Sequence, residues 1–262
     1  RKRLFKQLVG IINSKAVYGD ALLMDTSTLT ISKDFSTIDI SNTGEKGVKL
    51  RAFDGEKWAE KFVTDLAAEN LKKAAKELAK GITKVKKPLL FGDKNSEKSF
   101  SDKCRIDPKN VQIKEKIAVA EKVIEYFKKQ KHLKNGRAVY EEEITEKTFC
   151  SKNRFLTQKL SRCSVLAVAY VEDSQGQIRY SFQNSLGTGF EVAGKAIATA
   201  KKASDEAKNV MRAKKIIPGK YHCILSPAVS GLLAHESFGH GMESDTVYKE
   251  RALAKEWRLS LI

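Results

Sequence analysis

Residues 137–182 read RAVYEEEITEKTFCSKNRFLTQKLSRCSVLAVAYVEDSQGQIRYSF, and this stretch decides the fold. It breaks into short alternating runs, Arg137–Ile144, Lys147–Ser151, Asn153–Ser161, Ser164–Glu172 and Gln177–Phe182. Alternation with period two, rich in Val, Thr, Tyr and Phe, is the pattern of half-buried strands. Ser174, Gln175 and Gly176 read as a hairpin turn. A helix follows from about Gly189 to Val210, where Ala193, Ala196, Ile197, Ala200 and Ala207 let it pack close to a sheet. The same order occurs earlier. Val17–Met24, Leu29–Ser32, Thr37–Ile40 and Gly47–Phe53 read as a strand meander, broken at Asp25–Ser27, Lys33–Asp34 and Asn42–Gly44. After the turn at Asp54 and Gly55, the spacing predicts a helix over 56–80, with Trp58, Phe62, Leu66, Leu71, Ala75 and Leu78 on its apolar stripe and Gly81 as C-cap. A first helix is predicted over 4–13. Residues 82–107 read as a polar connector, and a second helix should begin at Asp107 and Pro108 and stop before Asn135. Strand meanders followed by helices imply an α+β domain with a largely antiparallel sheet.

Composition narrows the class. The chain has 262 residues, 41% of them apolar and 31% charged. That is enough apolar residue for a core, and it excludes a disordered, collagen-like or disulfide-framework protein. Apolar runs such as Leu8–Ile12 fall far short of the roughly 20 residues of a membrane span, and of a secretory leader. Cys104, Cys150, Cys163 and Cys223 follow no C-x-x-C spacing, so reduced thiols in a cytoplasmic protein are expected. The net charge of +17 is carried by 38 Lys against 11 Arg, spread along the chain. Nucleic-acid readers rely on the planar Arg fork, so a nucleic-acid partner is not expected.

At Ile217, Pro218 and Gly219 the character changes. Tyr221–Leu225 is a candidate buried strand, and Ala228–His240 reads as a helix. It carries the chemistry: His235-Glu236-Ser237-Phe238-Gly239-His240, a pattern H-E-x-x-x-H. On an ideal helix, positions i and i+5 lie about 140° apart, too far to share one ion. A wide turn, π-bulge or helix break is therefore required, and Gly239 and Gly241 make such distortion cheap. His235 and His240 are then the expected Zn²⁺ ligands, with Glu236 as general base for peptide-bond hydrolysis by a water whose pKa the metal lowers toward about 7. Glu243 is a candidate to orient a ligand imidazole. Asp245 is a candidate helix cap or substrate contact. Cys223 and His222 are lesser candidates for a further ligand. His132 suits the negative end of the preceding helix. Asp245–Ile262 reads as an amphipathic helix.

The stretch Pro218-Gly219-Lys220-Tyr221 through His235-Glu236-Ser237-Phe238-Gly239-His240-Gly241-Met242-Glu243-Ser244-Asp245 resembles the TldD/PmbA family of metalloproteases, whose core is H-E-x-x-G-H-G-x-E-x-D. The N-terminal layout, with Tyr18-Gly19-Asp20 near its start, is similar too. Ser237 and Ser244 stand where Ala and Gly are commoner. The resemblance implies a zinc peptidase that cleaves unfolded or flexible peptides. It also implies a homodimer, or a heterodimer with a related subunit lacking the motif, this chain being of the motif-bearing, TldD type. The family's third zinc ligand is a downstream Cys. The expected organisation is therefore an N-terminal α+β domain over 1–216 and, over 217–262, the beginning of a truncated C-terminal metalloprotease domain. The rival expectation is a module for peptide capture or subunit pairing without catalysis.

Overall fold

The computed structural model describes residues 1–83, 93–214, 216–243, 245, 246, 249 and 251. Most of the expected helix over 245–262 and part of the 82–107 connector lie outside the described residues. The chain divides into two units, Arg1–Ala213 and Lys214–Ile262. Among the described residues, no helix is long and apolar enough to cross a membrane.

The first unit is a seven-stranded sheet with helices on one face, and it is α+β. It opens with α1 (Lys2–Asn13), then β1 (Tyr18–Lys33), β2 (Ile38–Phe53) and β3 (Trp58–Val63), then α2 (Ala68–Lys80). After β4 (Ser96–Ser101) come α3 (Ile113–Lys128), β5 (Asn135–Cys150), β6 (Arg154–Glu172), β7 (Ile178–Gly187) and α4 (Ala196–Met211). Strand order is β3-β2-β1-β5-β6-β4, with β7 also on β6. All pairs are antiparallel except β4 on β6.

Side-chain parity decides what is buried. Ala21, Leu23 and Ile31 of β1 share a face with Leu50 and Val48 of β2, Tyr140 and Cys150 of β5 and Val165 of β6, by register. Over one end of that face, α1 and α2 bring Leu8, Ile12, Leu71 and Ala75. Over the other, α3 and α4 bring Val123, Phe127, Ala200 and Ala203. Ala200, Ala203 and Ala207 of α4 are wholly buried, so the helix axis sits close to the sheet. A buried pair pins α3. Lys116 Nζ lies 2.6 Å from Glu142 Oε1, and the Tyr140 hydroxyl donates to Glu142 Oε2 at 2.7 Å.

Several elements differ from the sequence expectation. The polar breaks at Asp25–Ser27 and Asn42–Gly44 do not interrupt β1 and β2. Central β1 is bonded on both sides, Asp25 opposite both Lys46 and Glu146, so two ladders carry a Thr-rich stretch that propensity alone would drop. Likewise β5 and β6 are each one long strand. Trp58–Val63 is a strand and not the first turns of a helix. Asp54 accepts the Glu56 and Lys57 amides at 2.7 Å and Gly55 takes φ 117°, which turns the chain straight back onto β2. Ser96–Ser101, within the expected connector, pairs with β6. Asp107 caps only a short 3-10 turn over Pro108–Asn110, and α3 starts at Ile113. The expected helix at 189–210 opens as a 3-10 turn over Phe190–Lys195.

Phe127 is fully buried, and a Cβ added at Gly136 would sit 2.4 Å from its ring. Phe127→Ala is expected to cost about 3–5 kcal/mol. Gly136→Ala should cost about 1–3 kcal/mol by overpacking. Urea unfolding followed by circular dichroism measures both.

Candidate metal centre

The second unit begins with exposed backbone, and Tyr221–Leu225 is not a strand: all five residues are exposed, Ile224 fully so. The run is apolar, but no partner strand among the described residues takes its ladder bonds. Helix α5 (Pro227–Ala234) follows, capped by the Ser226 hydroxyl, which accepts from the Val229 amide at 3.5 Å. Pro227 at the first helical position needs no donor there.

The helix then widens. His235–Gly239 is a π turn, closed by the His240 amide on the His235 carbonyl, and His240–Met242 is a 3-10 turn. In a π turn the bond runs from i to i+5, so the residue five on takes the place that i+4 holds in an α-helix. The five-step offset is thereby cancelled. The two imidazoles stand with ring centroids 4.6 Å apart at 69°. Gly239 takes part in an ordinary right-handed conformation, φ −58° and ψ −54°. The freedom expected of this glycine is therefore not used for a left-handed turn.

His235, Glu236 and His240 offer ligand atoms that all lie within 4.8 Å of one another. Two imidazole nitrogens and a carboxylate oxygen form a donor set that suits Zn²⁺. Glu236 Oε2 is 3.6 Å from His240 Nε2. On the far side of that ring, Glu243 Oε1 is 2.8 Å from Nδ1. A carboxylate there favours the tautomer with Nδ1 protonated and leaves Nε2 as the free lone pair. The hydrogen bond and charge of Glu243, with a smaller contribution from Glu236, raise the His240 pKa. The Thr246 hydroxyl donates to the His240 and Glu243 carbonyls at 3.1 and 2.7 Å, a tie that no sequence signal marked. The whole cluster is exposed.

The remaining candidates lie elsewhere. Asp245 pairs with Lys249 at 3.1 Å. Cys223 is exposed, its thiol 3.8 Å from the Tyr221 carbonyl, and neither it nor His222 joins the cluster. Burial pushes the Cys163 thiol up to about 11 and raises Cys150 as well, so both are unreactive core thiols. His132 bonds across to Ser204 of α4 at 3.1 Å.

No family model matches the chain. A protein named metalloprotease from Methanocaldococcus jannaschii is 25% identical over 249 residues, covering 88% of this chain and 52% of that one. A candidate modulator of DNA gyrase from Bacteroides thetaiotaomicron shares the fold with a TM-score of 0.76 at 15% identity, over 95% of this chain and 58% of its own. TldE from Thermococcus kodakarensis does so with a TM-score of 0.59 at 10% identity, over 78% and 47%. The chain thus spans about half the length of the curated relative it matches. These likenesses bear out the resemblance to the TldD/PmbA family and its α+β fold.

In metal-free protein, the His240 imidazole should titrate above its ordinary value. Glu243→Gln should bring it down. Imidazole nitrogen chemical shifts followed against pH measure both, and equal titration in the two proteins would contradict the Glu243 contact.

Proposed function

We propose that this chain is the motif-bearing part of a zinc-dependent metallopeptidase, acting on unfolded or flexible peptides. The observation that carries the reading is the π turn, which sets His235 and His240 ring to ring with Glu236 beside them. The metalloprotease name of the archaeal relative supports it. His235 and His240 would hold the ion. Bound there, Zn²⁺ would supply Lewis acidity and make a water acidic enough to lose a proton near neutral pH. Glu236, whose exposed carboxylate lies 3.6 Å from His240 Nε2, would accept that proton and pass it to the leaving amine. Glu243 keeps the His240 ring turned so that Nε2 faces inward. The catalytic domain begins at about 217 and the chain works in the cytoplasm; it pairs with itself or with a related subunit, and the fold shared with TldE supports the pairing.

A second reading is peptide capture without turnover. It is favoured by the donor count: among the described residues the cluster has two imidazoles and one carboxylate, and the carboxylate is needed as the base. A catalytic zinc site uses three protein ligands and an open position.

The test is zinc content. The chain should take up one equivalent, and His235→Ala or His240→Ala should abolish it. Glu236→Ala should retain zinc and lose cleavage of an unstructured fluorogenic peptide. Zinc bound equally by the His variants would overturn both readings of the site. Zinc without turnover in the parent chain would leave only the second.

A further inference from the structure

The helices of the first unit all pack on one face of the sheet, and none of that unit's described helices packs on the opposite face. Near the β4 end of that face lies a groove of about 340 Å³ whose walls include Leu22, Lys98, Phe100, Lys147, Phe149 and Leu156. Register explains how it forms. Leu22 stands opposite Phe149, Phe149 opposite Leu156 and Leu156 beside Lys98, so one row crosses four strands. In the next row Met24, Lys147, Gln158 and Phe100 stand side by side. The floor is apolar. The ammonium groups of Lys98 and Lys147 have no acidic partner among the described residues.

Strand β4 closes this groove on one side, and among the described residues no strand pairs with its outer edge. The Ser96 amide donates to the Asn153 carbonyl at 3.2 Å, and the Asp102 amide to the Lys159 carbonyl at 3.0 Å. Alternation then points the N–H and C=O groups of Lys98 and Phe100 toward β6, and those of Glu97, Ser99 and Ser101 outward. These outward groups find no backbone partner among the described residues. An open edge needs a backbone to satisfy it, and an adjoining groove selects side chains. A lipid tail would use the groove and leave the edge unpaired.

We propose that the β4 edge and its groove dock an extended peptide bearing an acidic and an apolar residue two positions apart. Added to β4, such a strand sends both side chains to the groove face. The acidic one lies beside Lys98. The apolar one lies against Phe100, which is 54% exposed without it. Lys147 adds to the positive potential that rejects basic segments. The proposal rests on the first unit alone and holds whether or not the second unit takes up metal.

Fluorescence anisotropy of the full chain with a short labelled peptide, Glu and Leu two apart among serines, is the test. Saturable binding is expected. Replacing that Glu by Lys should weaken it about tenfold or more. The double variant K98E/K147E should reverse this charge preference. Ser99→Pro removes an outward N–H and no backbone bond to β6, losing besides it the bond from the Thr157 hydroxyl to the Ser99 hydroxyl at 2.9 Å, and should weaken binding about tenfold. Circular dichroism checks that both variants keep the fold. Equal binding of the two peptides, indifference to both variants, or saturable uptake of laurate but not of peptide would overturn the proposal.

Discussion

Everything in the first unit depends on one constraint: successive side chains of a strand point to opposite faces, and the described helices of this unit cover one face of its sheet. Every register therefore has a right and a wrong answer. A slip of one residue in β1 would turn Ala21, Leu23 and Ile31 to solvent and Leu22 and Met24 into the core. The buried Lys116–Glu142–Tyr140 group reinforces this choice. Both Glu142 oxygens are used, one by an ammonium and one by a hydroxyl, so the charge is matched only when α3 lies in one position along β5. Removing one partner from such a pair is costly, whereas the intact pair contributes little net stability. Its value is positional. A similar logic holds at Asp20, fully buried and met by two guanidinium bonds from Arg51, whose guanidinium carbon lies over the Trp58 ring, 5.1 Å from its centroid.

The second unit obeys a different rule. Its described residues are nearly all exposed, and α5 buries none of its side chains. Leu232, Leu233 and Phe238 stay above 50% exposed, so burial contributes little to holding this helix. Local backbone geometry does the organising instead. The π turn aligns the two imidazoles, and the hydrogen bonds of Glu243 and Thr246 fasten the second of them. Such sites are short in sequence and need no large core to be assembled, which is why the donor set is in place on an exposed segment.

Much of this was legible without coordinates. The strands at 137–172, the hairpin turn at 174–176 and the helix at 196–211 follow from period, turn residues and small-residue spacing. The demand for a wide turn between His235 and His240 follows from helix geometry alone. Other features were hidden for specific reasons. Trp58, Phe62 and Leu66 recur every four residues, which suits a helix face, and residues 58 and 62 also share a strand face. Only the Asp54–Lys57 turn, folding the chain back on β2, separates the two. Ser96–Ser101 is polar throughout and has no apolar alternation to read. Its strand character is imposed by β6. Tyr221–Leu225 has the converse problem, since its apolar pattern promises burial that the described residues do not provide.

The sequence by itself determined the class of the sheet, the helix-forming segments and the donor types at 235, 236, 240 and 243, because these rest on period, local sterics and side-chain chemistry over a few neighbouring residues. The tertiary structure alone decided that polar stretches of β1 and β2 continue as strand, that β4 joins in parallel, and that the described helices of the first unit gather on one face of the sheet. Those outcomes depend on hydrogen bonds and contacts between segments dozens of residues apart, and no local pattern encodes which distant backbone will be there to accept them.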